Sequence, residues 1–100
     1  MVLRPEVMEE VLELFDSLNV EPVCIAFVEG VGRQRGHTEI FRGREYKIET
    51  RPKVSIQVLV DGVEERENLV RRVMDVVYTG HVGDGKIFVF RVDVPVPHPR

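Results

Sequence analysis

Two glycine-rich segments contain the residue types that bind phosphates and carboxylates. The first is the stretch 30–36, GVGRQRG, and the second is the stretch 83–86, GDGK. Glycine lets backbone N–H groups approach an anion closely, and arginine or lysine neutralises its charge. Neither segment matches the Walker pattern G-x-x-x-x-G-K-[ST]. Each segment taken alone is therefore as typical of a surface turn as of a binding site.

Positive charge is concentrated around the first segment. Residues 31–53 hold seven basic and three acidic side chains, a net charge of +4, whereas the whole chain has a net charge of −3. A basic segment on an acidic body favours an anionic ligand or an acidic partner surface, and a solvated loop is the alternative interpretation. Two of the few lysines, Lys53 and Lys86, stand where predicted loops meet strands, a position suited to a point charge on an anion.

The remaining reactive residue types do not form a catalytic or metal-binding pattern. Cys24 lies inside the apolar run 23–28 and is interpreted as a small buried residue. The histidines lack the spacing of metal ligands and have no matched nucleophile beside them: His37, His81 and His98. We therefore predict a binding protein without a metal centre of its own, and not an enzyme.

Composition restricts the class of protein further. One hundred residues, 43% hydrophobic and 31% charged, are typical of one soluble globular domain, which we assign to residues 1–100. No stretch approaches the ~20 apolar residues of a membrane helix, and the start does not resemble a secretory signal. We expect a cytoplasmic protein, and the negative net charge argues against nucleic acid as a partner.

The hydrophobic pattern predicts two helices and four strands. Apolar residues recur at helical spacing over 6–18, where Pro5 suits the first turn and Asn19 suits a left-handed C-cap, and again over 64–78. Strands are predicted at 2–4, 23–28, 53–60 and 86–92, and 45–50 alternates enough for an extended ribbon. The order strand–helix–strand, twice, predicts an α+β, ferredoxin-like βαββαβ fold with a four-stranded antiparallel sheet. The long basic loop is assigned to 31–52 and a proline-rich tail to 93–100.

Three stretches taken together resemble the PII signal-transduction family. They are GRQRGHTEIFRGREY at 32–46, PKV at 52–54 and TGHVGDGKIF at 79–88, with Arg4-Pro5 similar to the Lys-Pro that ends the family's first strand. The resemblance covers most of the chain. It implies a homotrimer of ferredoxin-like subunits that senses ATP or ADP and 2-oxoglutarate and regulates ammonium channels or enzymes of nitrogen assimilation. Contact with a membrane would come only through a channel partner.

The resemblance also implies roles for individual residues. In relatives the nucleotide lies between subunits, and the 2-oxoglutarate is bridged to ATP by Mg²⁺, which Gln34 would help to hold. The 2-oxoglutarate would contact Gln34, Arg35, Gly36 and Lys53. By matching position, the nucleotide would contact Cys24, Gly32, Arg33, Gln34, Gln57, Leu59, Gly83, Asp84, Gly85 and Lys86.

The segment from His37 to Arg51 resembles the family's T-loop, which docks on partners. The tip residues Arg42, Gly43 and Arg44 would contact the partner, and Arg42 matches an arginine that enters an ammonium channel pore in relatives. Tyr46 matches a tyrosine that some bacteria modify by uridylylation.

One departure from the family pattern leaves alternatives open. Pro97 and Pro99 stand where relatives carry phosphate-binding arginines, and His98 and Arg100 are displaced by one position. A PII-like protein that docks on a partner with weak or no ligand sensing is the first alternative. A metal-binding ferredoxin-like trimer or small enzyme is the second, and an RNA-binding ferredoxin-like domain, without the expected aromatic strand motif, is a distant third.

Overall fold

The computed structural model describes residues 1–33, 39–41, 44–46, 48–81 and 84–93. A single 3-10 turn at Pro5–Val7 precedes helix α1. The elements, in chain order, are β1 (Val2–Leu3), α1 (Met8–Ser17), β2 (Pro22–Arg33), β3 (Glu39–Phe41), β4 (Arg44–Tyr46), β5 (Ile48–Val58), α2 (Val63–Val77) and β6 (Gly85–Lys86).

The ends of α1 follow the sequence signals. Pro5 occupies the first turn, which needs no N–H donor there, and the acidic Glu9 and Glu10 lie in the first turn of α1. Beyond its C-terminus Asn19 has a φ of 55°, the left-handed conformation predicted for it. The Val20 N–H then donates to the Phe15 carbonyl at 2.8 Å. The helix therefore ends by satisfying its own last carbonyls before β2 begins.

Four strands form one antiparallel sheet in the order β2-β5-β1-β6. The two helices pack on one face of this sheet, where their buried residues meet those of β1 and β5. The predicted α+β fold with a four-stranded antiparallel sheet and two helices is thus confirmed. Strands β3 and β4 form a separate two-stranded antiparallel sheet within the long connection.

The hydrophobic core lies between the helices and the centre of the sheet. Burial of such side chains removes apolar surface from water and supplies the main stabilising free energy. The helix positions are those of the predicted apolar stripes, and the sheet positions come from β1 and β5 alone. The core residues are Leu3, Val7, Val11, Phe15, Val54, Ile56, Leu69, Val73 and Val77.

Strand β2 corrects the prediction that residues 23–28 form a buried strand. Val23 is 67% exposed, Phe27 is 73% exposed, and Cys24 is exposed rather than a small core residue. The physical reason is the strand order. Because β2 lies at the edge of the sheet, beyond the area that the two helices cover, an apolar strand is left open in the single chain.

Strand β6 is shorter than predicted. It comprises Gly85 and Lys86, whereas the sequence predicted a strand over 86–92, and residues 87–93 are described without strand structure. Strand β6 pairs only with β1, through Leu3 opposite Gly85 and Val2 opposite Lys86. Strand β6 is this short because its pairing partner, β1, comprises only Val2 and Leu3, and a strand needs an opposite strand for its backbone hydrogen bonds.

Strands β2 and β5 are longer than predicted and run into the segment assigned to the loop. Their pairing continues through Gly30 opposite Arg51 to Arg33 opposite Ile48. Backbone hydrogen bonds hold this ribbon together without an apolar pattern. The alternation at 45–50 predicted an extended conformation, and residues 48–50 are indeed in β5, whereas the glycines and charge of 30–33 gave no signal of a strand. The described helices include none long and apolar enough to cross a membrane.

Candidate functional site

The sheet register places four predicted site residues on the face that the helices leave uncovered. Val54 and Ile56 of β5 are buried under the helices, so Lys53 and Gln57 belong to the opposite face. Cys24 of β2 lies directly opposite Gln57. Lys86 joins them because Val2 pairs with both Ser55 and Lys86. We call this surface the helix-free face.

Distances across the helix-free face follow from strand geometry. Lys53 and Gln57 stand two residues to either side of Ser55, and Lys86 is in the same row as Ser55 but two strands away. Two strand spacings are roughly 9–10 Å, within the span of a nucleotide or of a dicarboxylate beside one. Leu59 follows the end of β5 and is 50% exposed.

Lys53 lies across a glycine of the neighbouring strand. A Cβ placed on Gly30 would come within 2.9 Å of the Lys53 Cγ and 3.4 Å of its Cε. The absence of a side chain at Gly30 therefore makes room for the lysine stem. Sequence reasoning assigned Gly30 to an anion-binding loop, but in the structure it belongs to β2 and shapes the position of Lys53.

Asp84 organises the turn that leads from α2 to β6. Its Oδ2 accepts hydrogen bonds from the Thr79 N–H at 2.9 Å and from the Gly80 N–H at 3.2 Å. Its Oδ1 accepts the hydroxyl of Thr79, and the Oγ1 of Thr79 in turn accepts the His81 N–H at 3.2 Å. We call the described residues that these bonds connect, Thr79 to His81 and Asp84, the carboxylate-closed loop.

These hydrogen bonds favour the ionised form of the Asp84 carboxyl. The bond from the Thr79 hydroxyl, followed by the bond from its backbone N–H, holds the pKa of Asp84 below its ordinary value, and the charge of Arg4 adds to the effect. Arg4 is fixed by a hydrogen bond from its Nη2 to the Val77 carbonyl at 3.2 Å, at the C-terminus of α2. A cation in that position also stabilises the negative end of the helix dipole.

Gly85, the first residue of β6, follows the carboxylate-closed loop and has a backbone conformation that residues with a side chain rarely adopt. Its φ is +138°, and a Cβ there would lie 2.7 Å from the Val2 carbonyl oxygen and 2.9 Å from the Leu3 Cδ2. Only glycine fits this close approach to β1. The glycine therefore sets the register that puts Lys86 on the helix-free face.

The structure places other predicted residues at the far end of β2 or outside the four-stranded sheet, and it does not describe the rest. Gly32 and Arg33 lie at the end of β2, opposite Glu49 and Ile48, while Arg44 and Tyr46 lie in β4. Outside the described residues are Gln34, Arg35, Gly36, Arg42, Gly43, Gly83, Pro97, His98, Pro99 and Arg100.

Sequence reasoning missed two residues of the site. It did not give a role to Thr79, whose hydroxyl and N–H both bond to Asp84, or to Arg4, which links the end of β1 to α2. The signal for Thr79 was its position at the start of the stretch TGHVGDGK, directly after the α2 pattern. The signal for Arg4 was weaker, because nothing local predicts which carbonyl a surface arginine reaches.

Two further features of the described residues lie apart from this face. A shallow depression of about 550 Å³ on the outer side of α2 is lined by Met74, Val89 and their neighbours and includes none of the predicted site residues. The described residues form no group of three or more His, Cys, Asp or Glu suited to a metal ion.

Comparison with known proteins agrees with this fold and these motifs. The family described as "Nitrogen regulatory protein P-II" matches residues 1–96. The P-II protein of Pasteurella multocida is 35% identical over 92 residues, covering 92% of this chain and 81% of that relative. GlnK of Escherichia coli K12 is 38% identical over 88 residues, covering 88% of this chain and 78% of that protein.

Solved structures of GlnK from B. subtilis superpose on most of the chain. One matches with a TM-score of 0.69 and 32% identity, covering 91% of this chain and 79% of that one. Another, described as a GlnK–ATP complex, matches with a TM-score of 0.70 and 29% identity, covering 91% and 78%. The fold and the glycine-rich motifs thus define a small regulatory protein, and the chain belongs to the nitrogen regulatory protein P-II family.

Proposed function

We propose that the protein is a trimeric, cytoplasmic sensor that binds ATP or ADP together with 2-oxoglutarate and controls partner proteins through residues 37–51. The observation that carries this proposal is the helix-free face. It combines a cation, Lys86, at the end of a loop ordered by Asp84 with a second cation, Lys53, on the same side of the sheet. The B. subtilis relative solved as an ATP complex shares this fold.

The nucleotide is assigned to the surface between β6 and the β2–β5 pair. Lys86 and the backbone donors beside it suit phosphate oxygens, while Cys24, Gln57 and Leu59 offer an amide and apolar contacts suited to the base and ribose. Gly32, Arg33, Gln34 and Gly83 complete the assigned set. When bound, Mg²⁺ would neutralise phosphate charge, and Gln34 is the residue assigned to it.

The dicarboxylate 2-oxoglutarate is assigned to Lys53 with Gln34, Arg35 and Gly36. Lys53 suits this role because its stem is held across Gly30 and its ammonium belongs to the basic stretch 31–53. Binding of two strongly anionic ligands side by side needs such positive charge. Ordering of the residues near Lys53 by ligand would bias which surface the segment 37–51 presents to a partner.

Assembly is supported by the exposed apolar residues of β2. Val23, Phe27 and Val31 are each at least two-thirds exposed in the single chain, which is more apolar edge than a soluble monomer usually leaves open. Subunits that meet around β2 would cover them. Ammonium channels and enzymes of nitrogen assimilation are the proposed partners, with Arg42, Gly43 and Arg44 at the contact and Tyr46 as a site of modification.

Calorimetric titration with MgATP tests the proposal, using Lys86→Met and the control Arg72→Gln. Both substitutions remove one positive charge, but Arg72 is exposed on α2, away from the helix-free face. We expect Lys86→Met to weaken ATP binding at least tenfold, in keeping with the ~1.5–3 kcal/mol of a hydrogen bond to a charged group, and Arg72→Gln to leave it unchanged. A wild-type trimer that binds neither ligand would overturn the sensor and favour a protein that only docks on partners.

A further inference from the structure

Asp84 has a negative charge in the segment assigned to phosphate binding. An ionised carboxylate accepts hydrogen bonds and donates none, so it gives nothing to a phosphate oxygen and repels its charge. Its two oxygens are instead engaged by Thr79 and by the Gly80 N–H. Both carboxylate oxygens of Asp84 therefore accept hydrogen bonds from its own loop.

The bonds to Asp84 close a loop between two fixed ends. At the first end, α2 finishes at Val77, whose carbonyl accepts the Arg4 guanidinium. At the other end, Gly85 must adopt its φ of +138° against the backbone of β1. The carboxylate joins these ends directly, because Thr79 follows the helix closely and Asp84 precedes Gly85.

Arg4 belongs to the same arrangement. Its guanidinium is the charged group whose field lowers the pKa of Asp84, and it approaches the loop from the end of β1. Its Nε is buried and has no acceptor within the described parts of the chain. The arginine thus remains oriented by Val77 while its charge offsets that of Asp84.

We infer that Asp84 is a positioning residue, which holds the carboxylate-closed loop in the shape that delivers Gly85 into register with β1 and Lys86 onto the helix-free face. The inference rests on the proposed function, since Lys86 is positioned for an anionic ligand. It changes the role that the family resemblance implies for Asp84, from a contact of the nucleotide to the support of such contacts.

The sign of one substitution separates positioning of the loop from simple repulsion of the phosphates, and the amide exchange described below separates positioning from a direct contact with the nucleotide. Asp84→Asn removes a negative charge, so if Asp84 only repels phosphates, ATP binding becomes tighter. If Asp84 positions the loop, ATP binding weakens, because an amide has one acceptor oxygen for three donors. We expect a loss of about tenfold or more, the effect typical of a lost hydrogen bond to a charged group. The control Asp75→Asn removes the same charge from the exposed side of α2 and should leave affinity unchanged.

Thr79 provides a milder variant in case Asp84→Asn fails to fold. Thr79→Val removes the hydroxyl that bonds to Asp84, and Thr79→Ser keeps it. We expect Thr79→Val to weaken ATP binding and Thr79→Ser to restore it. In the double variant Thr79→Val with Asp84→Asn, the losses should not add, because both remove the same interaction.

Amide hydrogen exchange separates failure of the inference from failure of the proposed function. In the wild type without ligand, the Thr79 and Gly80 amides should be protected, and Asp84→Asn should expose them while the core amides of α1 stay protected. A wild type that does not bind ATP overturns the proposed function and leaves the loop to be judged by exchange alone. Unchanged exchange in Asp84→Asn, or ATP binding as tight as in the wild type, overturns the inference.

Discussion

The core between the helices and the sheet, and the β2 edge of that sheet, are built from similar apolar residues but depend on different interactions. Under the helices, Phe15 is 1% exposed and Val54 and Ile56 are fully buried. In β2, Phe27 is 73% exposed although it lies directly opposite Val54. The same side-chain type therefore stabilises the subunit in one place and remains available to another surface in the other. Apolar composition identifies a strand, but the strand order decides what covers it.

The largest expected effect comes from truncating a phenylalanine in each region. Phe15→Ala should lower the free energy of unfolding by about 3–5 kcal/mol, because it leaves a cavity in the closed core. Phe27→Ala should change the unfolding of the separated subunit by no more than about 0.5 kcal/mol, as for other exposed positions. Urea denaturation, repeated over a range of protein concentrations, separates subunit folding from assembly.

Equal losses for the two phenylalanine variants at low protein concentration would contradict the comparison. A loss for Phe27→Ala that grows with protein concentration would sharpen it, since the residue would then act through a neighbouring subunit.

The next effect concerns the junction of β6 with β1. Gly85→Ala forces a side chain into a left-handed backbone conformation and against the Val2 carbonyl, so we expect a loss of about 1–3 kcal/mol. Gly62→Ala is the matched control. Gly62 has an ordinary φ and a Cβ there meets nothing within 4 Å, so this change causes neither the backbone strain nor the clash. Alanine is a poorer helix N-cap than glycine, so we expect a loss of about 0.5 kcal/mol, smaller than that at Gly85. Thermal unfolding of both variants measures the difference, and similar melting temperatures would show that Gly85 is not required.

A smaller effect is expected at Gly30, the β2 residue that lies against Lys53, which is assigned to 2-oxoglutarate. Gly30→Ala brings a methyl group against the Lys53 stem and should cost about 1 kcal/mol, the low end of overpacking, because Lys53 can move outward. Since the ammonium moves with the stem, 2-oxoglutarate affinity should fall by more than ATP affinity. Titration of each ligand checks this, and an equal change in both affinities would argue against the assignment of Lys53 to the dicarboxylate.

The smallest effect is the pH dependence of the carboxylate-closed loop. Folding lowers the pKa of Asp84, so its contribution is fully present above the unfolded pKa and is lost as pH falls through the lowered value. Protection of the Thr79 amide should therefore decrease at acidic pH in the wild type. The same amide in Asp84→Asn should show no such decrease, and an identical pH profile in both proteins would exclude Asp84 as the titrating group.

The sequence predicted best what local pattern controls. The apolar spacing of α1, the left-handed turn at Asn19 and the strand predicted at 53–60 each depend on neighbours within a few residues. The pairing of Cys24 with Gln57 depends on the register of β2 against β5, which local pattern does not give, and only the family resemblance implied that the two residues share a site.

What the sequence could not predict depends on contacts between distant segments. Phe27 is exposed because β2 is an edge strand. Strand β6 stops after two residues because the strand it pairs with, β1, is equally short. The closure of the loop by Asp84 needs Thr79 oriented by the end of α2, and the position of Arg4 needs the Val77 carbonyl. No local pattern contains these relations, and of these residues the family resemblance assigned only Asp84 to the site.

The most direct test of the sensor is titration of 2-oxoglutarate into protein of known mass, with and without saturating MgATP. The account predicts a trimer that binds 2-oxoglutarate when MgATP is present and weakly or not at all without it, because in the proposed site the metal and phosphates would complete the binding surface for the dicarboxylate. Binding of 2-oxoglutarate to the same extent in both conditions, or in neither, would contradict it.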